Sequence, residues 1–425
     1  MPEDLMPALG PLLKEAVERS PSTITASIAL AQAEAAHYQE SSALWPHVSG
    51  TVDYQVSQES VSVGSPSRSS GLFYSVGVNQ AIFQWNAYRN QAKIGELGEK
   101  VAQRQFAEAY RNLASLVRQQ YMALIGKKLY LRNTRFTQKT SEEALAAEQA
   151  RFEAGSASEA DVQGFKLALE ETKLAADRAQ EDYDYGKRLF TRLVGIDMIR
   201  DDDIAALIPH PEYSAALADT VLSGFVGNGI ESTFQNEVYK MMVKQQDLNY
   251  SIAKVILLPK FGANANISYS TATQAATNSI TQVKYLAETA SIAASWDIFD
   301  GFSARGAKLS ALANRRQYER IRQTYVDTTI DTISDMRHQL GFSSRAMALA
   351  EIHNALIEAE VKRLRDDRNL GYGSQATIDA GIVNQNATQY YMAQARADYL
   401  SRWTDFVSLA GIDPAIENLP ERYVR

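Results

Sequence analysis

The feature that most restricts this chain is an internal duplication. Trp45-Pro46-His47-Val48-Ser49-Gly50 recurs as Leu258-Pro259-Lys260-Phe261-Gly262-Ala263, a shift of 213 residues from Pro46 to Pro259. Phe83-Gln84-Trp85-Asn86-Ala87-Tyr88-Arg89 matches Phe299-Asp300-Gly301-Phe302-Ser303-Ala304-Arg305 at a shift of 216. Gly155-Ser156 and Asp161 match Gly373-Ser374 and Asp379 at 218, and Leu193-Val194-Gly195-Ile196-Asp197 matches Leu409-Ala410-Gly411-Ile412-Asp413 at 216. Landmarks in one order at nearly one spacing divide the 425 residues into two tandem repeats, 1–213 and 214–425. The join runs from Asp197 to about Tyr213. Its Asp201-Asp202-Asp203 run reads as a solvated linker rather than a metal site.

Each repeat reads as helix, strand, strand, long helix, helix. In the first, a β-hairpin is expected over 46–83 and a long helix pair over 88–195; in the second, a hairpin over 259–299 and a pair over 302–411. Val48, Gly50, Val52, Tyr54 and Val56 alternate with Ser49, Thr51, Asp53, Gln55 and Ser57, the period-2 pattern of a strand with one apolar and one polar face. Leu72, Tyr74, Val76 and Val78 alternate in the same way after a Ser- and Gly-rich connection. The second repeat does likewise, with Phe261, Ala263, Ala265, Ile267 and Tyr269 in one strand and Ala290, Ile292, Ala294, Trp296 and Ile298 in the other. The polar faces are small and, apart from Asp53, uncharged, and the strands exceed the roughly 9–11 residues that cross a bilayer. The same period suits a soluble sandwich or a sheet with one solvated face. Four strands are too few to close a transmembrane barrel, so a membrane reading requires several chains, and three would supply twelve strands.

After each hairpin comes a proline-free helical pattern. Ile94, Leu97, Val101, Phe106, Tyr110, Leu113, Val117, Leu124 and Leu131 fall in steps of three, four, five and seven, and Ile321, Tyr325, Thr328, Ile330, Ile333, Leu340 and Met347 follow the corresponding seam. About 65 helical residues at 1.5 Å each reach roughly 100 Å, far beyond a globular helix. Each long helix ends at a Gly-bearing turn, Gly155-Ser156 or Gly371-Tyr372-Gly373-Ser374, before a second helix returns.

Composition removes several classes. No stretch approaches the roughly 18 apolar residues of a transmembrane helix, and no basic segment followed by an apolar one opens the chain. An exported form is therefore expected to be the mature chain with Met1 added. A formal net charge of −7 gives no footprint for nucleic acid. Absence of cysteine removes disulfides, thiolate metal sites, cysteine nucleophiles and a lipid-bearing cysteine from the sequence as it stands. No catalytic constellation, cofactor motif or metal set is expected: His37, His47, His210, His338 and His353 lack ligand spacing. Gly224-Phe225-Val226-Gly227-Asn228-Gly229 has no preceding strand to make it a phosphate loop and reads as a loop or an irregular helix start.

With these features assembled, the chain resembles the TolC family of outer-membrane channels along almost its whole length. The resemblance is carried by Leu12-Leu13-Lys14-Glu15-Ala16-Val17-Glu18-Arg19-Ser20-Pro21 leading through an alanine-rich stretch to Leu44-Trp45-Pro46. Two further segments carry it, Arg151-Phe152-Glu153-Ala154-Gly155-Ser156 and Trp296-Asp297-Ile298-Phe299-Asp300-Gly301-Phe302. It implies an α+β membrane protein: a homotrimer whose twelve strands, four per chain, form an outer-membrane β-barrel that continues into a long α-helical periplasmic barrel. It further implies an exit duct for a tripartite efflux pump or type I secretion system, with a periplasmic adaptor and an inner-membrane pump or ABC transporter as partners and outer-membrane lipid around the barrel. The competing class is a soluble coiled-coil scaffold or adaptor, which explains the heptads and leaves the strands unexplained.

The resemblance also points to a periplasmic gate. Asp379 falls at one ring aspartate of the family and Asp161 at the acidic partner in the first repeat, while the other ring aspartate corresponds to Ile382. The family's linking Arg falls at Gln375 and its linking Tyr at Leu370, which departs from the family latch. Helix capping is the competing role for both aspartates, since each follows a Gly-Ser turn. Gly155, Ser156, Gly373 and Ser374, at the hairpin tips, are the implied adaptor-docking positions. Asp366 and Asp367, with Arg363, Arg365 and Arg368 beside them, read as a solvated charged face.

Overall fold

The computed structural model describes residues 1–59, 67–227, 229–276 and 279–417. In chain order the helices and strands are α1 (Pro2–Leu5), α2 (Leu9–Arg19), α3 (Pro21–Ser41), β1 (His47–Glu59), β2 (Ser67–Phe83), α4 (Ala87–Glu153), α5 (Glu159–Val194), α6 (Ala215–Gly227), α7 (Phe234–Lys254), β3 (Lys260–Ala276), β4 (Ser279–Ser295), α8 (Ser303–Asn369), α9 (Gln375–Leu409) and α10 (Pro414–Glu417). Both long helices run unbroken for 67 residues. Three expectations shift. Trp296 and Ile298 lie beyond the end of β4, and β2 already begins at Ser67, within the stretch taken as the connection. Gly224 to Gly227 form the last turn of α6 rather than a loop, while Gly229 opens a 3-10 turn, an irregular helix start as expected; Asn228 lies outside the described residues.

The chain forms two compact units, and neither is a sequence repeat. One comprises 1–28, 104–237 and 324–425; the other comprises 29–103 and 238–323. Each takes segments from both repeats.

The helical unit is built on the apolar seams. Leu113, Val117, Leu124 and Leu131 of α4 are all buried, joined by Tyr121, Ile125 and Leu129 of the same helix. On α8 the buried positions Ile333, Leu340, Met347, Asn354 and Val361 follow one another every seven residues, the period that keeps one stripe facing its neighbours along a long helix. Phe190 and Val194 of α5 and Tyr399 and Phe406 of α9 fill the same core. Helices approach closely where glycine permits. A Cβ at Gly186 would stand 3.0 Å from Leu124 of α4, and one at Gly381 would stand 3.0 Å from Leu364 of α8. The acidic run 201–203, read as a solvated linker, forms a 3-10 turn with Asp201 and Asp202 exposed: Asp203 pairs with Arg200, and Asp201 accepts from Tyr183 and Lys187.

The other unit carries one antiparallel sheet of order β1-β2-β3-β4. His47 pairs with Asn79 in the first hairpin and Lys260 with Ser295 in the second, and Tyr74 opposite Tyr269 joins the two hairpins. The register places Val52, Tyr74, Tyr269 and Leu286 in one row across the sheet. Ser49, Gly77, Asn266 and Thr289 form a row on the opposite face. Among the described residues nothing covers the apolar face: Val52 is 73%, Tyr54 69% and Ile292 77% exposed. Just beyond the strand ends, Trp85 donates from Nε1 to the Pro259 carbonyl at 2.8 Å and Trp296 to the Leu257 carbonyl at 2.9 Å.

Candidate functional site

The residues singled out for a gate lie in the helical unit, near the turns between its long helices. The first turn is built by Gly155, which adopts the left-handed φ of 74° that closes α4. Ser158 then opens α5: its Oγ accepts from the Asp161 backbone N–H at 3.2 Å, and Asp161 Oδ2 accepts in return from the Ser158 backbone N–H at 3.0 Å and its hydroxyl at 2.7 Å. This reciprocal pair satisfies two of the donors that a helix start leaves open. It holds the Asp161 carboxyl below the usual carboxylate range, mainly through the Ser158 bonds. Asp161 is therefore a capping residue.

The second turn is built differently. Gly371 and Gly373 both take left-handed φ, 88° and 118°, and Ser374 caps α9 by accepting from the Thr377 backbone N–H at 3.2 Å. Asp379 lies beyond that cap and has no capping role. Its Oδ1 accepts from Gln375 Nε2 at 2.7 Å, one helical turn away. Gln375, at the position of the family's linking Arg, thus contacts the candidate ring aspartate directly. Leu370 is 72% exposed at the end of α8. Ile382 is half-buried and does not border the groove described next. Gly155, Ser156, Gly373 and Ser374 are all exposed. Arg363 pairs with Glu360 and Asp367, consistent with the solvated charged face expected there.

One feature was not legible from the sequence. Gln375, Ala376, Asp379, Ala380 and Val383 of α9 line an open groove of about 600 Å³ whose other wall comes from α4 and α5, including Ala144, Ala147, Phe165 and Ala168. Small residues on facing helices leave the space, and Asp379 with Gln375 supplies its polar corner. Neither repeat alone contains both walls. The spacing of Ala144 and Ala147 against Ala376 and Ala380 was the available signal.

Among the described residues no group of three His, Asp or Glu side chains could hold a metal ion, and no helix is long and apolar enough to cross a membrane. His37 bonds Glu99 and His210 bonds Glu351, each at 2.7 Å.

A family model described as outer membrane efflux protein matches residues 12–189. The fold extends the likeness to nearly the whole chain. The Campylobacter jejuni CmeC outer membrane channel superimposes with a TM-score of 0.73 at 14% identity, covering 95% of this chain and 85% of its own. The Vibrio cholerae outer membrane protein VceC gives 0.65 at 14% identity, covering 95% and 96%. The open state of the Neisseria gonorrhoeae MtrE outer membrane channel gives 0.65 at 14% identity, covering 98% and 90%. Among curated proteins, none matches the sequence. The chain thus has the outer-membrane channel fold, mostly helical with a four-stranded antiparallel sheet.

Proposed function

We propose that this chain is the outer-membrane exit duct of a tripartite efflux pump or type I secretion system, passively conducting substrate delivered by an inner-membrane transporter through a periplasmic adaptor. The observation that carries this reading is the four-stranded sheet, with an uncovered apolar face and two unpaired edges, β1 and β4. Lipid tolerates an apolar face and no open edge, so strands in a bilayer must close into a barrel. Three copies supplying twelve strands achieve that closure. In water the same face would be an aggregation hazard, which disfavours a soluble scaffold. The match of residues 12–189 to the outer membrane efflux protein model supports the same choice.

In this reading the turns after α4 and α8 lie at the periplasmic end. Asp379, oriented by Gln375, is the charged element of the gate, with Leu370 and Ile382 taking the places of polar family positions and Asp161 serving the cap. A ring of Asp379 carboxylates would favour cations. Gly155, Ser156, Gly373 and Ser374 form the adaptor-docking tips. The test is extraction and reconstitution of the full chain: the expected outcome is a detergent-dependent trimer that conducts ions in planar bilayers. A monodisperse protein without detergent, with no conductance, would overturn the proposal.

A further inference from the structure

Next to the ends of β3 and β4, the helices α7 and α8 bring together cations that the chain leaves without an anion. Lys254, the last residue of α7, holds its Nζ 4.5 Å from the centroid of the Tyr250 ring, and Lys308 of α8 brings its Nζ to 5.9 Å from the same ring. A tyrosine face attracts an ammonium within about 6 Å, so one ring draws two like charges together. Arg305 stands one turn before Lys308 on α8. Among the described residues no carboxylate pairs with any of the three. The acids of the neighbouring segments are engaged elsewhere: Asp247 pairs with Arg315 at 3.0 Å, Asp297 with Lys260 at 3.5 Å, and Asp300 accepts from the Ala304 backbone N–H at 2.6 Å. Like charges held this way are stabilised by an anion that faces both.

Exposed apolar groups stand beside the cations. Phe302 immediately precedes α8 and Leu309 lies in its second turn; both are exposed, and Phe302 packs edge-on against Phe299 at 5.5 Å. Phe302 holds a left-handed φ of 69°, which bulky side chains avoid, whereas its counterpart in the first repeat, Asn86, is of a type that tolerates the same conformation. At the shifts of the flanking landmarks, 213 before the second hairpin and 216 after it, Lys254 and Lys308 correspond to Ser41 and Ala92. The lysine pair and the strained phenylalanine thus belong to the second repeat alone.

We propose that Tyr250, Lys254, Arg305 and Lys308 hold the headgroup of an anionic phospholipid in the leaflet nearest the helices, with Phe302 and Leu309 along its acyl chains. This rests on the barrel reading above and adds a headgroup site to it. Two observations favour a lipid over a free phosphate. The first is position: β3 begins at Lys260 and β4 ends at Ser295, and Lys308 lies about 8 Å along α8, a depth comparable to the headgroup layer of roughly 5–8 Å that borders the hydrocarbon core. The second is the exposed apolar pair, which a free phosphate would leave in water. Three cations favour an anionic headgroup over a zwitterionic one, whose ammonium would add a fourth positive charge.

The full-length protein in detergent is mixed with dioctanoyl phosphatidylglycerol, dioctanoyl phosphatidylcholine or inorganic phosphate at equal concentrations, and retention is read by native mass spectrometry. Phosphatidylglycerol should be retained several-fold more than phosphatidylcholine. Lys254→Gln with Lys308→Gln should bring that ratio close to one, whereas Lys166→Gln with Lys362→Gln, exposed lysines of the helical unit, should leave it unchanged. Phe302→Asn, which installs the residue of the first repeat, should lower retention of both lipids several-fold. Equal retention of the two lipids, or an unaltered ratio in the Lys254 and Lys308 variant, overturns the site; in a detergent-dependent trimer it leaves the barrel reading intact. Phosphate retained as strongly as phosphatidylglycerol, with Phe302→Asn without effect, identifies a phosphate site and overturns the lipid assignment. A monodisperse monomer without detergent overturns the barrel reading and the lipid site together.

Discussion

At the scale of single residues, the most consequential side chain is Arg118. It is fully buried on α4 and bonds Asp413 at 2.6 and 2.9 Å and Glu3 at 2.5 and 3.0 Å. Burial opposes its charge, but the two carboxylates outweigh this and hold the guanidinium protonated. One side chain thereby ties α4 to both ends of the chain. Removing one member of a buried ion network leaves an unpaired charge, so Arg118→Ala should destabilise the helical unit by about 3–5 kcal/mol in denaturant unfolding. Asp413 belongs to a repeated motif whose first copy, Asp197, is exposed, and sequence similarity could not distinguish the two. Glu351 offers a pH test. Burial works to raise its pKa, but bonds from His210 and Arg396 outweigh it and leave the carboxyl below its ordinary value of 4.5. Because folding lowers this pKa, the pairing stabilises above the ordinary value and is lost as pH falls through the folded one. Melting temperature should therefore fall more steeply with acid below about pH 4.5 in the native chain than in Glu351→Gln. At the candidate gate, Asp379→Asn should change single-channel conductance or cation block while leaving stability near native, since Ser374 and not Asp379 caps α9. Unaltered conductance and ion selectivity would remove Asp379 from the gate. Ser158→Ala should instead cost about 0.5–2 kcal/mol through loss of the cap that Asp161 completes.

At the scale of elements, the long helices were legible because nothing interrupts their apolar period over 67 residues. The hairpins were legible because period 2 is unambiguous when polar partners are small. What the pattern could not distinguish was the environment of equivalent turns. Gly195 and Gly411 close the two returning helices in matched motifs, both with left-handed φ, 82° and 76°. A Cβ at Gly195 would collide with the backbone of Arg19 at the end of α2, whereas Gly411 faces open space. Both alanine substitutions carry the left-handed penalty, roughly 1 kcal/mol. Gly195→Ala should cost distinctly more than Gly411→Ala, because backbone cannot yield as a side chain can; equal melting temperatures would contradict this. The heptad stripe on α8 contains a further example. Asn354 occupies a core position and is satisfied by Glu358 at 2.8 Å and by Thr388 of α9 at 3.5 Å, a polar contact of the kind that fixes the alignment of packed helices.

At the scale of the whole molecule, the compact units cut across the repeats. The two halves of a duplicated chain are equivalent in sequence but need not pack as separate bodies, and here Leu124 and Phe190 of the first repeat share one core with Leu340 and Phe406 of the second. On removal of detergent the uncovered apolar face of the sheet should drive aggregation, which light scattering would register. The sequence by itself determined the duplication, the hairpins, the two long helices and the channel-like resemblance, because each is written in a short-range period or a repeated motif. Only the tertiary structure decided that Arg118 meets Glu3 and Asp413 across 115 and 295 residues, and that Asp379 borders a groove walled by the other repeat. It also decided that the two matched aspartates have different work, Asp161 capping a helix and Asp379 free of that role. Long-range packing brings together residues with no mutual periodicity, so their contacts leave no trace in the spacing of the chain.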